Sequence, residues 1–278
     1  MTISVYRDVA AETNQVNVLD MGYVRLIESW GSDERIIESA RMSTAKGFLG
    51  WGPKCRACGD GVDDAERPCP SPTGREYIDS GRGGHIFDAP GDEKLLKFLW
   101  NKQHATPFEM AGLVIEVKAP IVVFREWHRH RTQSYNEMSA RYVPLPDENY
   151  APSVERILIG NAATTNKQAQ GSGRQVSEAE ALGWLADLAA LYDHAQETYA
   201  RAIALGIPKE LARLPVPVAR YSAMRASANL RNWLGFLKLR CDPAAQWEIR
   251  QYANAVAEIV REVFPRVHEV SAASLGLP

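Results

Sequence analysis

A run of cations between Arg125 and Arg141 sets the hardest condition on any fold this chain adopts. Arg125, His128, Arg129, His130, Arg131 and Arg141 share that stretch with only two acids, Glu126 and Glu137. So dense a patch is stable only where bound anions or neighbouring chains neutralise it. No lysine interrupts it. Guanidinium forks make paired, charge-assisted hydrogen bonds to phosphate oxygens, which a lysine point charge cannot copy. The stretch therefore reads as a surface for a small anion. Arginines pairing acids at a subunit interface is the competing structural reading.

The rest of the 278 residues limits the alternatives. Net charge is −2, so the basic run is local and suits a small ligand better than a long polyanion. With 45% apolar and 24% charged residues, the chain has material for a substantial core. The length suits one large domain or two smaller ones, and a single domain over 1–278 is expected. No apolar stretch approaches a membrane span. The first residues, with Arg7, Asp8, Glu12 and Asp20, lack the apolar core of a signal peptide. Four cysteines make no disulfide framework in a chain this long, so a cytoplasmic protein is expected.

Local patterns predict a helix-rich, strand-poor α+β fold, a small antiparallel or mixed sheet flanked by long helices. Short apolar alternation marks Tyr23–Ile27 as extended. Ser32 or Asp33 caps a helix through Ile36, Ile37 and Ala40. From about 47 to 91, Gly, Pro, Asp and Arg crowd a segment without a period, a long irregular insertion. Asp92 reads as the N-cap of a short helix bearing Leu95, Leu96, Phe98 and Leu99. Residues 112–118 read as a strand. Pro120 suits the first turn of a helix carrying Ile121, Val122, Phe124 and Trp127, with Arg129 and Arg131 near its end. A polar loop fills 160–176. Ser177 and Glu180 form a capping box opening a long helix with Leu182, Leu185, Leu188, Tyr192 and Ala195 on one side, ended by Gly206 and Pro208. A helix spans Asn229 to Leu239, and Asp242 and Pro243 open the last one, to about Phe264.

The stretch Arg129-His130-Arg131-x-x-Ser134-x-Asn136-Glu137-x-Ser139-x-Arg141-Tyr142 fixes nine positions, and it closely resembles the signature of the flavin-dependent thymidylate synthases. His104-Ala105-Thr106-Pro107-Phe108-Glu109, Val117-Lys118-Ala119-Pro120, Asn229-Leu230-Arg231, Phe236-Leu237-x-Leu239-Arg240 and Ala245-Gln246-Trp247-Glu248 resemble further blocks of that family, in its order, from about residue 20 to 265. The resemblance implies a homotetramer that methylates dUMP to dTMP in active sites shared between subunits. Methylenetetrahydrofolate gives the carbon, FAD carries the hydride and NADPH re-reduces the flavin.

Carried over position by position, the resemblance assigns FAD contacts to Ser43, Thr106, Arg129, His130, Arg131, Glu137, Asn229, Leu230 and Arg231. It assigns dUMP contacts to Glu126, Trp127, His128, Arg129, Glu137, Met138, Ser139, Ala140, Arg141, Arg213 and Arg240. His104 matches a position near flavin and folate, although a hydrogen-bonded structural histidine reads as well there. Arg240 matches the residue given the catalytic role. An arginine cannot accept a proton at ordinary pH, but it stabilises the anion that develops on the pyrimidine when N3 loses its proton. Compensation of a helix dipole is the plain alternative. Cys241, beside Arg240, raises the different possibility of a thiolate nucleophile. It lacks the surrounding motif of the cysteine-dependent synthases and reads as a small semi-buried residue.

Two departures stand out. Gly235 and Ala244 replace an asparagine and a histidine of some members, each change removing a flavin hydrogen bond of about 1 kcal/mol. The second departure is the 47–91 insertion, which has no counterpart in the family core. Cys55-Arg56-Ala57-Cys58-Gly59 and Cys69-Pro70 resemble a zinc knuckle short of one ligand, for which His85, Asp60, Asp63 or Asp64 would serve. An ordinary loop carrying thiols, without metal, is the expectation, and its place just after Ser43 suits a lid. Two other functions compete. One is a same-fold hydroxymethylase that omits the final reduction. The other is a nucleic-acid module using the 125–141 patch, disfavoured by the near-neutral charge. No nucleic-acid or membrane partner is expected.

Overall fold

The computed structural model describes residues 14–56, 58–59, 87–89, 91–159 and 175–277. At their centre lies a five-stranded sheet formed by β1 (Gln15–Val18), β2 (Gly22–Trp30), β5 (Gly112–Pro120), β6 (Ser134–Glu137) and β7 (Tyr221–Asn229). The order is β1-β2-β5-β7-β6 and every pairing is antiparallel. Two short strands, β3 (Lys54–Cys55) and β4 (Phe87–Ala89), form a separate ribbon. The helices are α1 (Asp33–Arg41), α2 (Glu93–Asn101), α3 (Ile121–Trp127), α4 (Val154–Ile159) and α5 (Glu178–Ala204). They continue with α6 (Lys209–Ala212), α7 (Leu230–Arg240), α8 (Trp247–Val263) and α9 (Pro265–Leu275). The α+β class holds, with an antiparallel sheet.

The sheet is two-faced. Along β5, Leu113, Ile115, Val117 and Ala119 are wholly buried, as period-two alternation requires of a half-buried strand. α7 and α8 seal that face. The Trp233 indole N–H donates to the Leu113 carbonyl (3.1 Å) and the Tyr252 hydroxyl to the Lys118 carbonyl (2.9 Å). Trp127 stacks on Phe236 with ring centroids 4.6 Å apart. Burying each such side chain stabilises the fold by roughly 1.5–3 kcal/mol. The other face carries charge: Arg25, Glu116 and Arg225 lie directly opposite one another on β2, β5 and β7, and both arginines pair with Glu116.

Several boundaries differ from the sequence expectation, each because a tertiary contact outcompetes a local preference. Ser32 does cap α1, its hydroxyl accepting from Arg35 N–H (3.3 Å). Asp33 instead binds a segment distant in sequence, its carboxylate accepting from the Arg266 and Val267 N–H groups that open α9. Asp92 occupies the N-cap position of α2 without capping it. Its carboxylate accepts from Leu49 N–H (2.7 Å) and Gly50 N–H (3.3 Å) and pairs with Arg41, tying down the neck of the insertion. Pro120 is the last residue of β5 and the N-cap of α3 rather than in its first turn, and α3 ends at Trp127, leaving Arg129 and Arg131 beyond it. Asp242 caps a turn, accepting from Ala244 N–H (2.7 Å), and α8 opens only at Trp247. On α5 the capping box is present, but Leu182 is exposed while Ala195 is buried.

β6, β7 and α9 have no clear local signal. β7 reads Tyr-Ser-Ala-Met-Arg-Ala-Ser-Ala-Asn, poor in branched residues, and becomes a strand because β5 and β6 flank it on both sides. Within the insertion, the Gly59 N–H donates to the Cys55 carbonyl (2.9 Å) and Cys55 is buried. Cys69, Asp60, Asp63, Asp64 and His85 lie outside the described residues. Among the described residues no three metal-ligating side chains cluster.

Candidate active site

The cationic stretch is shaped by what it hides. Trp127, fully buried at the end of α3, donates its indole N–H to Gln133 Oε1 (3.0 Å). The Tyr135 hydroxyl donates to the carbonyls of His130 (2.7 Å) and Trp127 (3.2 Å). These bonds curl residues 128–133 into a tight turn against the core. Arg129 and Arg131 therefore point outward, exposed, and neither has an ion pair among the described residues. His128 is half-buried, edge-on to Tyr135.

Arg240, the last residue of α7, turns back across this loop. Its Nε donates to His130 Nε2 (2.8 Å), Nη1 to Glu126 Oε2 (2.7 Å) and Nη2 to the Glu126 carbonyl (3.0 Å). Its side chain is only 15% exposed. Burial, and then the Arg240 charge, lower the His130 pKa to about 4. His130 is thus a neutral acceptor on Nε2, which leaves its proton on Nδ1. Three of the five guanidinium N–H groups serve this clamp and two remain. Neighbouring Cys241 is a poor nucleophile, since burial pushes its thiol up to about 11.

A first cleft of about 490 Å³ lies between α3, the 138–145 loop and the segment before β7. It brings together Glu137, Met138, Ser139, Ala140 and Arg213 from the sequence candidates. The Ser139 hydroxyl accepts from Arg141 N–H (3.3 Å), and the Arg141 guanidinium sits 3.7 Å from Glu210. Glu126, Trp127, His128, Arg129 and Arg240 are not among its walls. The wall also holds Arg125 and Ser222, which the motif comparison passed over. Arg125 belongs to the cationic run of 125–141, and that charge is its signal in the sequence. Ser222 carries no such signal.

A second cleft, about 500 Å³, has an apolar floor from Leu99, Trp100, Phe108 and Leu234 and a cationic rim from Arg231 and Lys238. His104 and Gly235 also line it. A Cβ on Gly235 would meet nothing within 4 Å, so this position adds room rather than a contact. An aromatic floor beside cations fits a flat heteroaromatic ring joined to phosphates. Arg231 pairs with Glu109. Asn229 spends its side-chain oxygen capping α7, accepting from Asn232 N–H (3.0 Å). Leu230 is wholly buried and donates its N–H to the Ala111 carbonyl (2.7 Å), so its side chain serves the core. Thr106 and His104 share an adjoining cavity of about 240 Å³ with Ser39 and Ala40. Ser43 lies in an exposed helical turn, Met42–Thr44, outside these clefts, its hydroxyl donating to the Ala40 carbonyl (3.2 Å).

Comparison with known proteins places these features in context. The family model described as thymidylate synthase complementing protein matches residues 25–266. A flavin-dependent thymidylate synthase of Thermus thermophilus is 36% identical over 250 residues, 90% of this chain and 75% of that protein. One from Pseudothermotoga lettingae is 32% identical over 254 residues, 91% of each. Among solved structures, the UMP/dUMP methylase PolB of Streptomyces cacaoi bound with 5-Br UMP superposes with a TM-score of 0.69 at 26% identity, covering 94% of this chain and 98% of that one.

Proposed function

The chain belongs to the flavin-dependent thymidylate synthase family, and from that premise we propose how its own residues serve the reductive methylation of dUMP to dTMP. Methylenetetrahydrofolate is the carbon donor, FAD the cofactor and NADPH the reductant. The reading rests on one observation above the others, the clamp that Glu126 and His130 place on Arg240. A guanidinium held on three sides cannot rotate away, and its two remaining N–H groups give a fixed positive edge. Such an edge stabilises the negative charge that spreads over the pyrimidine when N3 gives up its proton, which makes C5 nucleophilic. Neutral His130 strengthens this role, because a second cation would compete for Glu126.

The second cleft suits FAD, with Arg231 near its phosphates and His104, Thr106 and Asn229 beside it, and we assign Arg129, His130 and Arg131 to the same cofactor. Ser43 would contribute through main-chain groups, and Leu230 by seating the start of α7 against the core. Bound there, FAD supplies the reducing hydride. In the first cleft, Ser139, Ala140 and Arg213, with Arg141 reaching in from the same loop, hold the nucleotide phosphate by hydroxyl, backbone N–H and guanidinium groups, with Glu137 and Met138 beside them. Glu126, Trp127, His128 and Arg129 stand on the Arg240 side of the nucleotide, Trp127 as a buried support.

In this reading the phosphate residues and the Arg240 clamp are halves that different protomers of a homotetramer bring to one shared active site. Exposed Leu214 (77%), in the wall of the first cleft, and Tyr142 (74%), on the loop beside it, suit coverage by a neighbouring copy. We read the chain as one catalytic domain, working in the cytoplasm. Among the described residues no helix is long and apolar enough to cross a membrane.

Turnover with dUMP, methylenetetrahydrofolate, FAD and NADPH tests the assignment, with dTMP as the expected product. A product about 16 Da heavier would establish hydroxymethylation instead. PolB is described as a methylase of both UMP and dUMP, so UMP belongs in the same assay. Arg240→Ala should lose activity by a factor of about 10²–10³.

A further inference from the structure

Ser222 is 1% exposed, lines the first cleft, and its hydroxyl has no hydrogen-bond partner. Its strand is otherwise satisfied: Ser222 lies opposite Ala119 in the β5–β7 ladder, and the adjacent Ala223 carbonyl accepts from Met138 N–H (2.8 Å). A buried hydroxyl left unpaired destabilises a fold, and alanine would avoid that cost at the same site. Such a group belongs where something else completes it. Arg125, Ser139 and Arg213 line the same cleft. Neither Arg125 nor Arg213 has an ion pair among the described residues, and Glu137 is the one acid in the wall. We infer that Ser222 and Arg125 are two further nucleotide contacts, the Ser222 hydroxyl donating to a phosphate oxygen from the floor of the cleft and Arg125 pairing with the phosphate from its rim.

The inference rests on the reading of this cleft as a nucleotide site and adds residues that no motif marks. A phosphate monoester has three terminal oxygens, more acceptor capacity than Ser139, Arg141 and Arg213 exhaust.

The experiment compares wild type, Ser222→Ala and Arg125→Gln, each loaded with FAD, in calorimetric binding of dUMP and of deoxyuridine, which lacks the phosphate. Ser222→Ala should weaken dUMP roughly five- to tenfold, in line with a lost hydrogen bond to a charged group. It should leave deoxyuridine unchanged, and the ligand-free variant should melt no lower than wild type. Arg125→Gln should weaken dUMP and flatten its salt dependence. Ser222→Ala binding dUMP within twofold of wild type would overturn the inference, as would an equal loss for deoxyuridine. A ligand-free alanine variant that melts lower would overturn it too, since the hydroxyl would then serve the fold. Wild-type enzyme that fails to bind dUMP at all would sink the functional reading itself, and this inference with it.

Discussion

At the scale of single residues, the junction of His130, Glu126 and Arg240 sets both charge and position in the site. Burial and the Arg240 charge lower the His130 pKa to about 4, so a histidine in a run of cations is itself uncharged at neutral pH. The unfolded chain protonates the same residue near 6.5. Its folded value is depressed, so the stability present above pH 6.5 is lost as pH falls toward about 4. In NMR titration the His130 Cε1–H resonance should stay in its neutral position down to about pH 5. In Arg240→Ala the midpoint should rise, because one of the two lowering influences is gone while the Glu126 charge that raises it remains. A wild-type midpoint near 6.5 would contradict the clamp. Arg240→Lys keeps the charge and loses the fork, so it should restore little of the activity that alanine removes.

At the scale of elements, caps read well from sequence when their partners lie three residues away, and poorly otherwise. Ser177 with Glu180, Ser32 and the Asn229 helix start all satisfy N–H groups within one turn, and all were legible. Asp92 and Asp242 look equivalent in sequence but answer to other partners, the insertion neck and a turn. β7 escaped because alanine and serine carry little strand preference, and only the pairing with β5 and β6 settles it. Asn229→Ala should cost about 1 kcal/mol, read from urea denaturation, since it removes the α7 cap alone. Asp92→Ala should cost far more. It leaves Arg41, whose side chain is 19% exposed, without its partner and releases two backbone N–H groups at the neck. A loss of about 3–5 kcal/mol is expected for breaking such a pair from one side. A loss below 1 kcal/mol would mean that the neck of the insertion is held by other contacts.

At the scale of the whole molecule, the distribution of cations argues for a site assembled between copies. The motif stretch was legible because its arginines are contiguous. Its division was not, because sequence cannot tell which face of a turn each guanidinium takes. Arg213, Ser139 and Ala140 open onto the first cleft, while Arg240 is bound into the clamp with Glu126 and His130 and does not line it. On the proposed shared-site reading, the phosphate half comes from one protomer and the N3 half from another. This is testable by complementation. The Arg213→Ala and Arg240→Ala enzymes should each be nearly inactive, the first by weak substrate affinity and the second by lost anion stabilisation. Co-expressed with separate affinity tags and purified as hybrids, they should regain activity. A two-protomer site built with one copy of each kind either carries both defects or neither, and those with neither work as wild type. In statistically mixed tetramers, roughly a quarter of the sites escape both substitutions, so activity should approach about a quarter of wild type. Hybrids no more active than their parents would place Arg213 and Arg240 at the same nucleotide within one chain, and the apolar side chains exposed around the first cleft would then need another explanation.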